Sequence, residues 1–142
     1  VTKLYLDIDG VLLTAKHTQA APGVAELVDF VTKYFDCYWL TTHCKGDQAT
    51  TIRYLASYLS PSTLAQLDHA VQPTNWDALK TEAINLAEEF YWLEDRPFQA
   101  EIAQLEAAGV ANRLLVVNLD VPQALSLIQA TLQQVLSNEK SH

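Results

Sequence analysis

The chain has 142 residues, 49% of them apolar, enough for the core of one domain spanning 1–142. Its net charge of −8, from 17 acids against 9 bases, disfavours a nucleic-acid partner, which binds through a basic face; only a local basic patch would reverse that. Its longest apolar runs are far short of a membrane span, and no basic segment followed by a long apolar stretch opens the chain, so neither a membrane partner nor a signal peptide is expected. No methionine is present, which implies a removed initiator or a trimmed chain. Cys37 and Cys44 are too few for a disulfide framework and match no zinc spacing. Together these features predict a reducing, cytoplasmic setting.

Taken in chain order, short apolar runs alternate with helical periodicity. Leu4 to Ile8 reads as a buried strand. Val24, Leu27, Val28 and Val31 then form one helix face. Cys37 to Thr41 is the second strand, with Cys37 and Trp39 as core. Ile52, Leu55 and Leu59 mark the next helix, and Ser60-Pro61 caps and opens a short one. A weaker strand surrounds Ala70 to Val71. Thr74 and Asp77 resemble a capping box for a helix carrying Leu79, Ala83 and Leu86. Phe90 to Leu93 is a strand, and Asp95-Arg96-Pro97 opens a helix bearing Phe98, Ile102 and Leu105 that Gly109 stops. Leu114 to Leu119 is the last strand. Asp120 and Pro122 lead into a helix with Leu125, Ile128, Leu132 and Val135. This order predicts an α/β domain: a three-layer, Rossmann-like parallel sheet of about five strands with helices on both faces.

In such sheets ligands bind beyond the carboxyl ends of the strands, where strand order reverses. Those ends hold the polar residues of this chain. The first strand runs into "DIDG", with Asp7 and Asp9; the second ends in Thr41, Thr42 and His43; the fourth ends in Glu94 and Asp95. Lys80 lies ahead of the fourth strand, and Lys45 follows the second. Two carboxylates about 4 Å apart repel by roughly 4 kcal/mol at an effective dielectric of about 20. Four cannot converge without a cation. Mg²⁺ prefers oxygen ligands and shares them with substrate phosphate. One carboxylate can then attack phosphorus, another can move a proton, and a hydroxyl and a lysine can hold the phosphoryl oxygens.

This set resembles the haloacid dehalogenase (HAD) superfamily of phosphatases. "DIDGV" matches its first motif at Asp7, Asp9 and Val11. Thr41 matches the second, Lys80 the third, and Glu94 with Asp95 the acidic pair of the fourth. The motifs fall on strand ends in the family's order over nearly the whole chain. The resemblance implies a Mg²⁺-dependent phosphatase with Asp7 as nucleophile and Asp9 as general acid and base. The metal would be held by Asp7, the backbone carbonyl of Asp9, and Asp95, with Glu94 close or bound through water. Because the fourth motif is Glu-Asp rather than two Asp, either acid is a candidate for direct metal contact. Thr41 and Lys80 would contact the phosphoryl oxygens, with Thr42 and Lys45 as rivals for those roles. Asp9 at this position is the mark of the family's phosphatases.

The insertions that cap many family members are missing. Only a short flap containing His17 follows Gly10. By family analogy this predicts a large or macromolecular phosphorylated substrate, or a lid from another subunit. Thr42, His43 and Lys45 are candidate substrate contacts on the rim. Two other readings stand beside this one. In a phospho-accepting signalling module the first strand carries an adjacent acid pair, whereas Ile8 separates Asp7 from Asp9. A silent metal-binding domain would have lost a motif position, and none is lost. The plain alternatives are helix capping for Asp95 and Asp120, core packing for Trp39, Trp76 and Trp92, and solvation for His69 and His142.

Overall fold

The computed structural model describes residues 1–140; His142 lies outside them. Five parallel strands form one sheet: β1 (Lys3–Leu6), β2 (Asp36–Trp39), β3 (Val71–Gln72), β4 (Phe90–Glu94) and β5 (Leu114–Val116), in the order β3-β2-β1-β4-β5. Five α-helices connect or follow them: α1 (Val24–Tyr34), α2 (Gln48–Leu55), α3 (Pro61–Ala70), α4 (Gln99–Ala107) and α5 (Ala124–Lys140). The chain builds outward from β1 to β3, then returns to β1's other side for β4 and β5. The order therefore reverses between β1 and β4. No helix among the described residues is long and apolar enough to cross a membrane.

Both sheet faces are covered, which explains the lack of polar alternation. Leu4, Leu6, Cys37, Trp39 and Leu93 face one core, closed by Leu27, Val28 and Val31 of α1, Leu55 of α2, Leu67 of α3, and Leu125 and Leu132 of α5. Tyr5, Leu40, Phe90 and Trp92 face the other, closed by Leu105 of α4 and Ile84. Neighbours within a strand thus fill opposite layers, as the pleat requires. Cys37 is plain packing, and burial first of all pushes its thiol up to about 12, out of reach of ordinary thiolate chemistry.

The helix expected over Leu79–Leu86 is a single 3-10 turn, Lys80–Ala83. The carboxylate of Glu82 folds back to accept from the backbone N–H groups of Asp77, Ala78 and Leu79 (2.8–3.1 Å), tying off the turn. Thr74 caps nothing there; its hydroxyl donates to the Trp39 carbonyl (2.5 Å). Other expected boundaries also move. β1 and β2 end at Leu6 and Trp39, before Ile8 and Thr41. α4 starts at Gln99, with Glu101 rather than Asp95 accepting from the Phe98 N–H (2.8 Å). β5 ends at Val116, before Leu119. α5 starts at Ala124, beyond Asp120 and Pro122. Ser60 caps α3 as expected, accepting from the Thr63 N–H.

Candidate metal and phosphoryl site

The site is built at the switch point between β1 and β4. Leu6 pairs with Trp39 on one side and Leu93 on the other, so the carboxyl ends of β1, β2 and β4 lie level. Asp7 extends this pairing, its N–H donating to the Leu93 carbonyl (3.1 Å). The next residues turn sharply: the N–H groups of Val11, Leu12 and Leu13 all converge on the Ile8 carbonyl (2.9–3.1 Å). Val11, Leu12 and Leu13 are fully buried, which anchors the turn. Gly10 takes a left-handed φ of +84°, and a Cβ there would lie 2.1 Å from Asp95 Oδ2. Glycine is therefore required for two reasons, the backbone conformation and the close approach of Asp95.

Asp7, Glu94 and Asp95 each bring a carboxylate oxygen within 4.8 Å of the others. Asp7 and Glu94 are buried, at 6% and 2% exposure. Asp7 Oδ1 accepts from the Ile8 N–H (2.8 Å), which fixes its plane. Glu94 Oε2 accepts from the N–H groups of Asp95 (3.1 Å) and Arg96 (3.3 Å). Lys80 reaches in from the 3-10 turn, with Nζ 2.5 Å from Glu94 Oε1 and 3.5 Å from Asp7 Oδ1. Its backbone is held by Glu101, a buried residue of α4 whose Oε2 accepts from the Lys80 N–H (2.8 Å). Glu101 was not singled out in the sequence, where it reads as an ordinary exposed helix glutamate.

The electrostatics show a shortage of positive charge. Burial raises the Asp7 carboxyl above the usual aspartate range, although Glu94, Lys80 and the Ile8 N–H each pull it down. Glu94 is pushed up to about 7, by burial first and then by Asp7 beside it. Asp95 is pushed up to about 6, by burial and then by Glu94. Burial lowers the Lys80 ammonium, but Asp7 and Glu94 outweigh it and its net shift is upward. One lysine thus serves three acids, and like charges at this spacing hold protons that a cation would displace. The all-oxygen donor set and its charge suit a hard divalent cation such as Mg²⁺.

The other expected residues divide clearly. Lys45 is not part of the cluster: its Nζ lies 4.2 Å above the Trp76 ring and donates to the Asp77 carbonyl (3.4 Å). Thr41 is buried two residues beyond β2, its hydroxyl accepting from the His43 N–H (3.3 Å), while Thr42 is exposed. The Asp9 carboxylate is not one of the clustered acids. Its Oδ2 meets His43 Nε2 (2.8 Å), and its Oδ1 accepts from the Tyr54 hydroxyl (3.0 Å). Tyr54 was missed, because nothing local links α2 to a turn 45 residues earlier. Cys44 is fully buried between these elements. His17 stands on an exposed hairpin tip closed by Thr14 and Gln19, whose backbones bond at 2.8 Å. Beside Gly10 and Asp95 an open cleft of about 650 Å³ runs between that tip and the strand end 116–120, with Lys16, His17 and Arg96 among its lining residues. Segment 7–23 holds only turns and short bridges, and segment 73–79 holds no helix or strand.

Comparison of the chain with family models, with curated proteins and with solved structures finds no match.

Proposed function

We propose that the chain is a Mg²⁺-dependent phosphatase of the haloacid dehalogenase type, hydrolysing a phosphate monoester through an aspartyl phosphate at Asp7. The observation that carries this reading is the cluster itself. Three carboxylates from two strand ends converge at the switch point, with a single lysine between Asp7 and Glu94. A packed core gains nothing from such crowding, since each buried like charge costs free energy unless something cationic answers it.

Asp7, Glu94 and Asp95 would hold the ion, which would neutralise the cluster and an incoming phosphate. Asp7 is well placed as nucleophile, because the Ile8 N–H holds one oxygen and keeps the carboxylate's plane fixed. Its oxygen bonds phosphorus as the ester P–O bond breaks. Asp9 gives its proton to the leaving oxygen, which departs as an alcohol. Asp9 then takes a proton from water, whose oxygen bonds phosphorus while the Asp7–phosphorus bond breaks. Inorganic phosphate leaves, and both aspartates return to their starting states. Lys80 and Thr41 would bind the phosphoryl oxygens as charge shifts onto them. The open edge suits a large phosphorylated substrate. The free cysteines, together with the short apolar runs, support a reducing, cytoplasmic setting.

The test is hydrolysis of p-nitrophenyl phosphate with and without Mg²⁺. Wild type should turn over only with the ion. Asp7→Asn should fall to background, a loss on the order of 10⁴-fold or more. Asp9→Asn should lose about 10²- to 10⁴-fold, the usual worth of general acid–base help. An Asp7→Asn variant as active as wild type removes the nucleophile. Uptake of phosphate from a small donor without turnover would instead mark a signalling module, and neither activity would mark a silent ion-binding domain.

A further inference from the structure

The Asp9 carboxylate has a built surround that the phosphatase reading does not require. Thirty-four residues on, His43 follows β2; forty-five residues on, Tyr54 lies in α2. Both reach the same side chain, one on each oxygen, at 2.8 and 3.0 Å. The two rings stack on each other, centroids 3.9 Å apart and planes within 13°. Tyr58 meets the outer edge of Tyr54 at 5.7 Å, so the pair is itself supported. The elements carrying the rings are also fixed. Thr51, fully buried, donates to the His43 carbonyl (3.1 Å), joining α2 to the loop after β2. Asp47 caps α2 by accepting from the Thr50 N–H (3.1 Å).

We infer that His43 and Tyr54 are positioning residues for Asp9: the stacked pair fixes the plane and rotamer of its carboxyl group, so that it faces the leaving oxygen of the substrate. This rests on the phosphatase reading above. A carboxylate has two oxygens and about four acceptor directions. One bond to each oxygen therefore leaves a direction on each for a proton. The Asp9 side chain is 43% exposed, so its remaining side is open to a substrate. The tyrosine hydroxyl serves as the donor to Asp9 Oδ1. A proton is transferred efficiently only along an aligned path, and small misplacements of a reacting group cost large factors in rate. His43 thereby moves from a rim contact with substrate to a support for the acid.

The experiment compares two substrates that need the acid unequally. Phenyl phosphate has a poor leaving group and needs its oxygen protonated as it departs. 2,4-Dinitrophenyl phosphate has a good one and does not. The readout is the ratio of kcat/KM for the two, with Mg²⁺ present, in wild type, Asp9→Asn, Tyr54→Phe and His43→Gln. Tyr54→Phe keeps the ring and removes one oxygen, so it preserves the stack and the fold. The proposal predicts that all three variants lose phenyl phosphate activity selectively, Asp9→Asn most, with the ratio falling about tenfold or more in Tyr54→Phe and His43→Gln. If Asp9→Asn shifts the ratio while Tyr54→Phe and His43→Gln lower both substrates alike or leave both untouched, the inference is overturned and the phosphatase reading stands. If Asp9→Asn leaves the ratio unchanged, or wild type hydrolyses neither compound, the underlying reading fails and this inference goes with it.

Discussion

The two edges of the sheet treat acids in opposite ways. At the amino edge, Glu88 pairs with Lys3 (2.6 Å) and Glu89 with Arg113 (3.1 Å), each of these two acids having its own base and all four in contact with water. The bases also lie over aromatic rings, Lys3 on Tyr38 and Arg113 on Tyr91. Lys3 holds the Glu88 carboxyl below the usual glutamate range. At the carboxyl edge, on the same strands β1 and β4, Asp7, Glu94 and Asp95 share Lys80, and all three carboxyls are shifted upward with burial as the first cause. Glu88 and Glu89 each have their own base in contact with water, whereas the carboxyl-edge acids crowd together beside Lys80, where burial raises their carboxyls. The contrast separates acids paired one to one at the surface from acids gathered where an ion could be held.

Two substitutions would break or sharpen this contrast. The larger effect should come from Lys80→Met. It leaves Asp7 and Glu94 buried without their one basic partner among the described residues, which costs about 3–5 kcal/mol of stability when one member of a buried pair is removed. Urea denaturation should show that loss, larger at pH 8 than at pH 5, because Glu94 takes a proton below about 7. Added Mg²⁺ should restore part of the stability. Turnover should drop about 10²- to 10³-fold, as for loss of a group that meets developing charge. Stability unchanged at pH 8 would mean that the cluster carries no charge deficit. The smaller effect should come from Glu88→Gln at the other edge. Exposed pairs contribute little, so its turnover and its response to Mg²⁺ should match wild type. An altered Mg²⁺ response there would show that the two edges do not act separately.

The carboxyl-edge half of this contrast was legible in the sequence. The strand ends bearing Asp7, Thr41, Glu94 and Asp95 stand out because each apolar run stops in a polar residue, and a parallel sheet has one edge where such ends meet. What was not legible depends on side chains that meet across the fold. Leu79, Ala83 and Leu86 carry helical spacing, yet the segment is one 3-10 turn because Glu82 satisfies three consecutive backbone donors itself. Asp95 looks like a helix cap, yet Glu101 takes that role from inside α4. Lys45 and Lys80 are equivalent by type, and only the tertiary fold sends Lys80 to Asp7 and Lys45 to Trp76. Tyr54 has no local signature, since its partner Asp9 lies in another turn entirely. Spacing finds residues on one element; it does not find a pair of rings brought together from two.

The protons on the carboxyl edge provide the most direct test. Folding raises Glu94 from 4.5 to about 7 and Asp95 from 3.8 to about 6. In the ion-free chain their favourable contribution is complete below those starting values and is lost as pH rises through about 6 and about 7. An ion bound by these carboxylates must expel the protons they hold. Calorimetric titration of Mg²⁺ at pH 6.5, in two buffers of different ionisation heat, reads both binding and release. The account predicts one saturable site with proton release, lost or strongly weakened in Asp95→Asn. No saturable heat in wild type, or binding of equal strength in Asp95→Asn without proton release, would contradict it.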